Sequence, residues 1–466
     1  MTIIDALTDP HLFGSAIRDP ATFTAWRVFL KAFFGLSMNE AELEIFRACT
    51  GREVPPTTPM AEAHLPTGRR AGKSFVLALI AVYLAAFREY RGYLAPGERA
   101  TVMVLAADRR QARVIFRYCK GLLAGSPLLA NLIERETAEA LDLANGVTIE
   151  IGTASVKTTR GYSLAAVLCD EIAFWETSED SASPDYEILN ALRPGMATIP
   201  GSVLLCASSP YARKGALWDA FSRHFGQDNS DVLVWRAATR VMNPTVPERT
   251  IDEAYQRDPA AAAAEYGAEF RSDIESFVSL DVVKACIDSG VMERLRHAGR
   301  HVAFVDPSGG SADSMTLAIA HHQAGKAVLD AVREIRPPFS PEQVVEEFAG
   351  LMKSYGIREV TGDRYAGEWP RERFRVHGIN YKVSEKSKSD LYRDLLPLLN
   401  SAKVSLLDHP RLVQQLVALE RRTARGGRDS IDHPRGGHDD LANAVAGVLV
   451  GLARPQNTFQ VLPFPF

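Results

Sequence analysis

The sequence predicts two successive α/β domains, a parallel sheet covered by helices on both faces followed by a smaller mixed sheet. Three observations lead there. Between residues 51 and 245, short apolar β-type runs alternate with helical patterns. From about residue 296, three strand-like runs follow one another and give way to helix, strand, helix, strand, helix. In both halves, carboxylates stand at the ends of apolar runs, where a buried strand meets solvent.

A chain of 466 residues is too long for one ordinary domain. Its 46% hydrophobic and 24% charged residues are those of a globular protein with a sizeable core. A net charge of −4 excludes a uniformly basic nucleic-acid coat but leaves room for local basic grooves. The cysteines Cys49, Cys119, Cys169, Cys206 and Cys286 form no C-x-x-C pair and are expected as structural thiols in a reducing compartment. The start, M-T-I-I-D-A-L-T-D-P, lacks the pattern of a signal peptide. No run approaches the ~18 apolar residues of a membrane span. The expected organisation is an N-terminal helical or lid segment (1–50), a first α/β domain (51–249), a helical linker (250–295), a second domain (296–454) and a Pro-rich tail (455–466).

In the first domain, residues 101–106, 146–151, 165–170 and 201–207 read as strands. Residues 67–74, T-G-R-R-A-G-K-S, read as a phosphate-binding loop opening a strongly apolar helix. Such a loop needs small residues so that successive backbone N–H groups face the phosphate, with a helix N-terminus behind them. The whole stretch Thr67, Gly68, Arg69, Arg70, Ala71, Gly72, Lys73 and Ser74 is the candidate nucleotide site, with Lys73 for the β/γ-phosphates and Ser74 for Mg²⁺. One feature departs from the usual motif: the first glycine stands at Gly68, one place late, behind Thr67. About a hundred residues on, L-A-A-V-L-C-D-E is a buried strand ending in Asp170, for hydrated Mg²⁺, and Glu171, to polarise the attacking water. Together these predict a P-loop NTPase fold with ATP and Mg²⁺ as its ligands. Arg160, in T-T-R-G-Y-S, is a candidate for reaching a γ-phosphate in a neighbouring subunit, with Arg69 and Arg70 as rivals in cis. Ser208 and Ser209, in C-A-S-S-P, are placed to couple γ-phosphate to movement, or else to cap a turn.

In the second domain, residues 301–305, 315–321 and 327–335 read as consecutive strands, the last two joined by a Q-A-G-K turn. A helix over 341–355, strands at 359–363 and 379–383, a long helical pattern, a Gly/Arg-rich loop and a final helix over 439–452 complete the element order of a ribonuclease H-like domain. That order makes the first and fourth strands parallel neighbours ~4.8 Å apart, which brings Asp306 and Asp363 to one sheet end. The last helix adds Asp439 and Asp440. Crowded carboxylates with oxygen-only chemistry call for Mg²⁺ or Mn²⁺, two of which suit phosphodiester cleavage. Asp440 shares a helix face with Asn443 and is the favoured ligand; Asp439 is a cap or second ligand, and Asp313 a further candidate. Arg421, Arg422, Arg425, Arg428 and Arg435, on the hairpin-like Gly-rich loop, suit sequence-independent DNA phosphate contact.

With these residues in place, the chain resembles the large terminase subunit of tailed bacteriophages. The likeness rests on G-R-R-A-G-K-S with its displaced glycine, C-D-E-I-A-F-W, C-A-S-S-P, A-E-Y-G-A-E-F-R-S-D, D-P-S-G-G-S-A-D, T-G-D and H-D-D-L. It implies an ATPase that drives double-stranded DNA into a capsid and an endonuclease that cuts it. It further implies a homo-oligomer, usually a pentamer, on the portal protein, a small terminase subunit as partner, and action in the host cytoplasm away from membranes. Arg52 and Glu53 stand where base contacts are expected. A cellular helicase–nuclease and a nucleotide-switched DNA clamp are the alternatives. The first lacks a second motor domain between residues 175 and 295, and the second leaves the full set of acids without a use.

Overall fold

A computed structural model describes residues 1–154, 161–175, 184–309, 313–363, 369–423, 429–434 and 437–453. The chain forms two compact units, the first reaching Asp273 and the second beginning at Ile274. The stretch 250–295, expected as a helical linker, is divided between them. Helices Glu248–Arg257 and Pro259–Glu265 belong to the first unit, whereas residues from Ile274 on supply strands to the second.

The first unit is built on eight strands: β1 (Glu62–Pro66), β2 (Ala100–Ala106), β3 (Ile133–Glu136), β4 (Ala140–Leu143), β5 (Val147–Thr153), β6 (Ser163–Asp170), β7 (Val203–Ser208) and β8 (Val232–Val234). They lie in the order β3-β4-β5-β2-β6-β7-β1-β8. Pairing is parallel from β5 through β8, and β3 and β4 add an antiparallel edge hairpin that the sequence patterning did not announce. Helices Lys73–Phe87 and Arg109–Ala124 join the core on one face, with Pro184–Met196 and Gly215–His224 in the core on the other. β1 has a weakly apolar sequence, E-A-H-L-P, yet sits between β7 and β8 with Ala63 and Leu65 almost fully buried. Its polar residues are absorbed locally: His64 Nε2 lies 2.9 Å from Glu62, and Glu62 pairs with Arg193 at 3.0 Å. The N-terminal segment is part of this core through Trp26, Phe29 and Phe33 of the helix Thr24–Phe33.

The second unit has strands β9 (Ile274–Ser276), β10 (Ile287–Asp288), β11 (His301–Asp306), β12 (Met315–Gln323), β13 (Lys326–Ile335), β14 (Glu359–Gly362), β15 (Asn380–Val383), β16 (Val404–Leu407), β17 (Glu420–Thr423) and β18 (Asp429–Asp432). Seven form a mixed sheet in the order β10-β16-β13-β12-β11-β14-β15. β11, β12 and β13 are antiparallel, while β14 and β15 run parallel to β11, the ribonuclease H-like arrangement. The β12–β13 turn places Ala324 and Gly325 at positive φ, the twist a two-residue hairpin needs. The long helical pattern after residue 383 is in fact two helices, Lys388–Asn400 and Pro410–Ala418, separated by β16. V-S-L-L there is short and wholly buried, so its strand character is hidden between two stronger helical periods. β17 and β18 form a hairpin, extended by β9.

The closing helix Asp440–Ala453 packs on this sheet through a glycine. A Cβ at Gly447 would lie 2.3 Å from the buried Phe304 ring on β11. Gly447→Ala should therefore lift the helix and destabilise the fold by about 1–3 kcal/mol, as overpacking does. Chemical denaturation measures it, and a variant as stable as the parent would show that the close approach is not needed.

Candidate functional sites on two sheets

The loop 67–72 continues β1. Thr67 N–H donates to Ser208 O at 3.0 Å and Gly68 N–H to Ala237 O at 3.1 Å. The late glycine has a steric cause: a Cβ on Gly68 would fall 2.2 Å from Thr239 Oγ1 and 2.7 Å from Thr239 N. Thr67 is fully buried as the last ladder residue. Arg70 and Gly72 then take positive φ, which turns the loop into the helix Lys73–Phe87.

Several groups clamp this loop from outside. Thr239 Oγ1 donates to Arg69 O at 2.8 Å, Asn243 Nδ2 to Arg70 O at 2.9 Å, and Trp26 Nε1 to Ala71 O at 2.8 Å. The Arg69 guanidinium pairs with Glu265 at 3.2 Å. The alanine-rich segment expected as a bare connector thus walls the loop. None of Trp26, Thr239 or Asn243 carried a motif that would have flagged it.

Inside the loop, Lys73 is almost fully buried. Its Nζ lies 3.2 Å from Thr67 O, 3.0 Å from Ser209 Oγ and 3.4 Å from Glu171 Oε1. Ser74 Oγ donates to Asp170 Oδ2 at 3.0 Å, as does Gln111 Nε2 at 3.2 Å. Burial holds the Asp170 carboxyl well above the usual range, and the Glu171 charge beside it pushes the same way. Its Oδ1 is buried with no hydrogen-bond partner among the described residues. A buried carboxylate and a hydroxyl with spare acceptor capacity fit a hydrated Mg²⁺.

Glu171 adopts φ 52°, a conformation that side-chain-bearing residues rarely take and that concentrates at functional sites. The bend carries its carboxylate to β7, where Ser208 Oγ donates to Oε2 at 3.0 Å and Ser209 N–H at 3.1 Å. Ser208 and Ser209 therefore touch the glutamate, and Ser209 touches the lysine as well. Arg160 lies outside the described residues. Arg52 is buried and donates to Ser230 O and Val232 O beside the edge strand β8. Glu53 pairs with Arg47 at 3.2 Å.

On the second sheet, Asp306 ends β11 and Asp363 follows β14, which pairs with β11 at Phe304↔Thr361 and Val305↔Gly362. Asn443 Nδ2 donates to Asp306 Oδ2 at 2.8 Å and to Asp363 Oδ2 at 3.5 Å. Asn443 Oδ1 is buried without a hydrogen-bond partner among the described residues. Asp440 is held beside them by Ser314 N–H (3.2 Å) and, through its own carbonyl, by Thr316 Oγ1 (2.8 Å). Asp439 faces elsewhere: its carboxylate accepts from Tyr392 Oη at 2.8 Å and pairs with Lys388 Nζ at 3.1 Å. The charges of both Asp440 and Asp439 act on Asp306, but Asp439 is the one held by a tyrosine and a lysine. Asp313 is exposed, with an oxygen 3.9 Å from His438 Nδ1.

Burial pushes the Asp306 carboxyl up to about 8 against the Asn443 amide, with the charges of Asp440, Asp363 and Asp439 adding to it. Asp440 rises to about 6, through burial first and Asp439 second. Such acids are poorly compensated by their own chain, and a divalent cation with oxygen preference fits them. The linkage has a definite sign. Asp306 binds its proton more tightly folded (about 8) than unfolded (3.8), so it contributes stability that fades as pH rises through that window. In the metal-free chain, Asp306→Asn should remove a fall in melting temperature across those pH values. Mg²⁺ or Mn²⁺ should raise the melting point of the parent more at its upper end than at its lower end. Equal shifts at both ends would separate the cation from these acids.

Arg421 and Arg422, expected to contact DNA, are engaged within their own hairpin. Arg421 Nε donates to Asp429 at 2.6 Å, and Arg422 Nη2 reaches Glu420 at 3.2 Å and His433 O at 3.1 Å. Arg425, Arg428 and Arg435 lie outside the described residues.

No protein-family model matches the chain, and no curated protein does. Solved structures do. The HK97 bacteriophage large terminase is 16% identical, with 97% of this chain and 100% of that one covered at a TM-score of 0.45. The large terminase of a thermophilic bacteriophage is 11% identical, with 86% and 96% covered and a TM-score of 0.39. The large terminase nuclease of another thermophilic phage, G20c, is 19% identical, with 38% and 98% covered and a TM-score of 0.33. These three solved structures, to which this chain is similar, are bacteriophage large terminases or a nuclease from one.

Proposed function

We propose that this chain is a viral DNA-packaging motor and nuclease. In this reading the first unit hydrolyses ATP to translocate double-stranded DNA into a capsid, and the second cleaves that DNA. The observation that carries it is the pairing, in one chain, of a loop clamped around Lys73 and Glu171 with a separate cluster of Asp306, Asp363 and Asp440. An ATPase alone needs only the first, and a simple nuclease only the second.

In the motor, Lys73 neutralises phosphate charge and Glu171 orients and deprotonates the attacking water. Ser74 and Asp170 would hold Mg²⁺, which supplies further charge neutralisation when bound. Ser208 and Ser209 link that water site to β7, so loss of the γ-phosphate is felt along a central strand. Arg160 is assigned the transition-state charge from a neighbouring subunit. In the nuclease, Asp306, Asp363 and Asp440 would hold Mg²⁺ or Mn²⁺, whose bound form activates water and stabilises the leaving oxygen. Asn443 orients two of those acids. The hairpin arginines, Arg425, Arg428 and Arg435 foremost, take the DNA phosphates, and Arg421 and Arg422 shape the hairpin. A portal protein, a small terminase subunit and a homo-oligomeric ring complete the machine, which acts in the host cytoplasm. No helix among the described residues is long and apolar enough to cross a membrane.

The test is packaging itself. Empty procapsids bearing their portal, mixed with the chain, ATP and linear DNA, should protect DNA from added nuclease. Protection without ATP, or none with it under conditions where the chain hydrolyses ATP, would refute translocation.

A further inference from the structure

At the far end of β11 from Asp306, a second cluster of ligand-type side chains lies under the segment that leads into the sheet. His301 opens β11, His321 is its direct partner on β12, and Asp330 comes from β13. Five residues at ~3.3 Å each separate His301 from Asp306, so the two clusters are on the order of 16 Å apart.

Asp330 reaches the histidines because the β12–β13 ladder slips there. Ile319 pairs with Ala331 and Ala320 with Leu329, which leaves Asp330 as the extra residue of a bulge. Bulges re-aim a side chain at the expense of pairing. Here the result is a fully buried carboxylate beside two imidazoles that are themselves 3% and 7% exposed. His321 Nδ1 lies 2.8 and 2.9 Å from the two Asp330 oxygens, and His301 Nε2 lies 3.5 Å from Oδ2. The two rings are 5.3 Å apart between centroids and tilted by 44°.

The hydrogen bonds leave this cluster short of a cation. His301 Nδ1 donates to Gly299 O at 3.2 Å, so a neutral ring has its lone pair at Nε2, where the His297 N–H donates at 3.3 Å. The same nitrogen lies 3.5 Å from Asp330 Oδ2, and its only hydrogen-bond donor among the described residues is that backbone N–H. His321 Nε2 is also buried without a hydrogen-bond partner among the described residues. The Arg294 guanidinium, on the entry segment, is turned to Asp288, Ser405 and Leu329 O. His297 stacks on His321 at 4.9 Å and is exposed, at the rim of the cluster.

We propose that His301, His321 and Asp330 form a structural site for a borderline divalent cation, Zn²⁺ by preference. Two imidazole nitrogens and one carboxylate are a common zinc donor set, whereas Mg²⁺ and Ca²⁺ select oxygen alone. The ion replaces the Asp330-bound proton of His321 and takes the His301 Nε2 lone pair from the His297 N–H, which shifts aside. His297 or a water takes the fourth position. Because the three donors lie on three neighbouring strands, the ion pins the bulge and the entry segment without taking part in DNA cleavage.

The experiment uses the untagged full chain, stripped with a chelator and titrated with Co²⁺ at neutral pH in excess Mg²⁺. One Co²⁺ per chain should bind, with the intense visible bands of tetrahedral nitrogen ligation, and equimolar Zn²⁺ should displace it. Asp330→Asn and His321→Gln should each weaken binding by about 100-fold or more, since loss of an outer-shell partner alone costs 10–100-fold. Asp363→Ala should leave the bands unchanged, which separates this site from the acid cluster. Wild-type protein that shows only weak octahedral bands overturns the proposal, whether or not the variants fold. So do bands undiminished in both variants, or a histidine titration that shows proton uptake with no zinc-dependent shift, which would make the cation a proton.

Discussion

Asp363→Ala should abolish DNA cleavage and leave ATP hydrolysis at the parental rate. Asp363 stands at the end of β14, next to β11, and Asn443 Nδ2 bridges its carboxylate to that of Asp306. Removing it takes away one of three acids and leaves the Asn443 amide with Asp306 alone. Loss of an outer-shell partner costs 10–100-fold at metal centres, so loss of a direct ligand should exceed about 100-fold. The ATPase is spared because Lys73, Asp170 and Glu171 belong to the other compact unit and share no strand with Asp363. Nicking of supercoiled plasmid in Mg²⁺ or Mn²⁺, with phosphate release followed on the same preparation, measures both. Undiminished cleavage would remove Asp363 from the site, and a parallel fall in ATPase would point to misfolding.

Lys73→Ala should produce the opposite split. The Nζ is buried at the centre of the loop, between Thr67 O, Ser209 Oγ and the Glu171 carboxylate. Without it, Glu171 and the buried Asp170 lose their nearest cation, and the phosphates lose a fixed charge at the position where negative charge develops. Removing a single preorganised donor of that kind costs about 10²–10³-fold in turnover. ATP turnover should fall at least that far while plasmid cleavage persists. A loss smaller than about tenfold would sink the assignment of Lys73 to phosphate. Lys73→Arg guards against a folding artefact, because it keeps the charge but replaces the compact ammonium with a larger planar guanidinium, and it should stay folded with low turnover.

Much of the framework was legible because its signals are local. A buried strand that ends in acids is recognisable when apolar residues run up to Asp170 or Asp306 and stop. The loop 67–74 announces itself through Gly72, Lys73 and Ser74, which stand at a strand-to-helix turn. The unread parts are those whose identity depends on distant partners. β1 and β16 are too short or too polar to show a period, and only their neighbours make them strands. Gln111, Trp26 and Asn243 reach Asp170 or the loop 67–72 from remote segments with no motif of their own. The Asp330 bulge cannot be seen in K-A-V-L-D-A-V-R-E-I, which reads as an ordinary strand with one odd acid.

The sequence alone thus determined the two α/β architectures, the loop between β1 and its following helix, and which carboxylates end strands or open a helix. These depend on periodicity and turn chemistry, which act over a few residues. The tertiary structure decided the rest. It explained the late glycine by the approach of Thr239 to Gly68, and it gave the Asp440 carboxylate to Ser314 N–H while Lys388 and Tyr392 hold that of Asp439. It buried Arg52 against Ser230 O and Val232 O, paired Arg421 and Arg422 within their own hairpin, and gathered His301, His321 and Asp330 into one cluster. Each of these outcomes depends on contacts between residues far apart in the chain, whose distances are set only when the sheets pack.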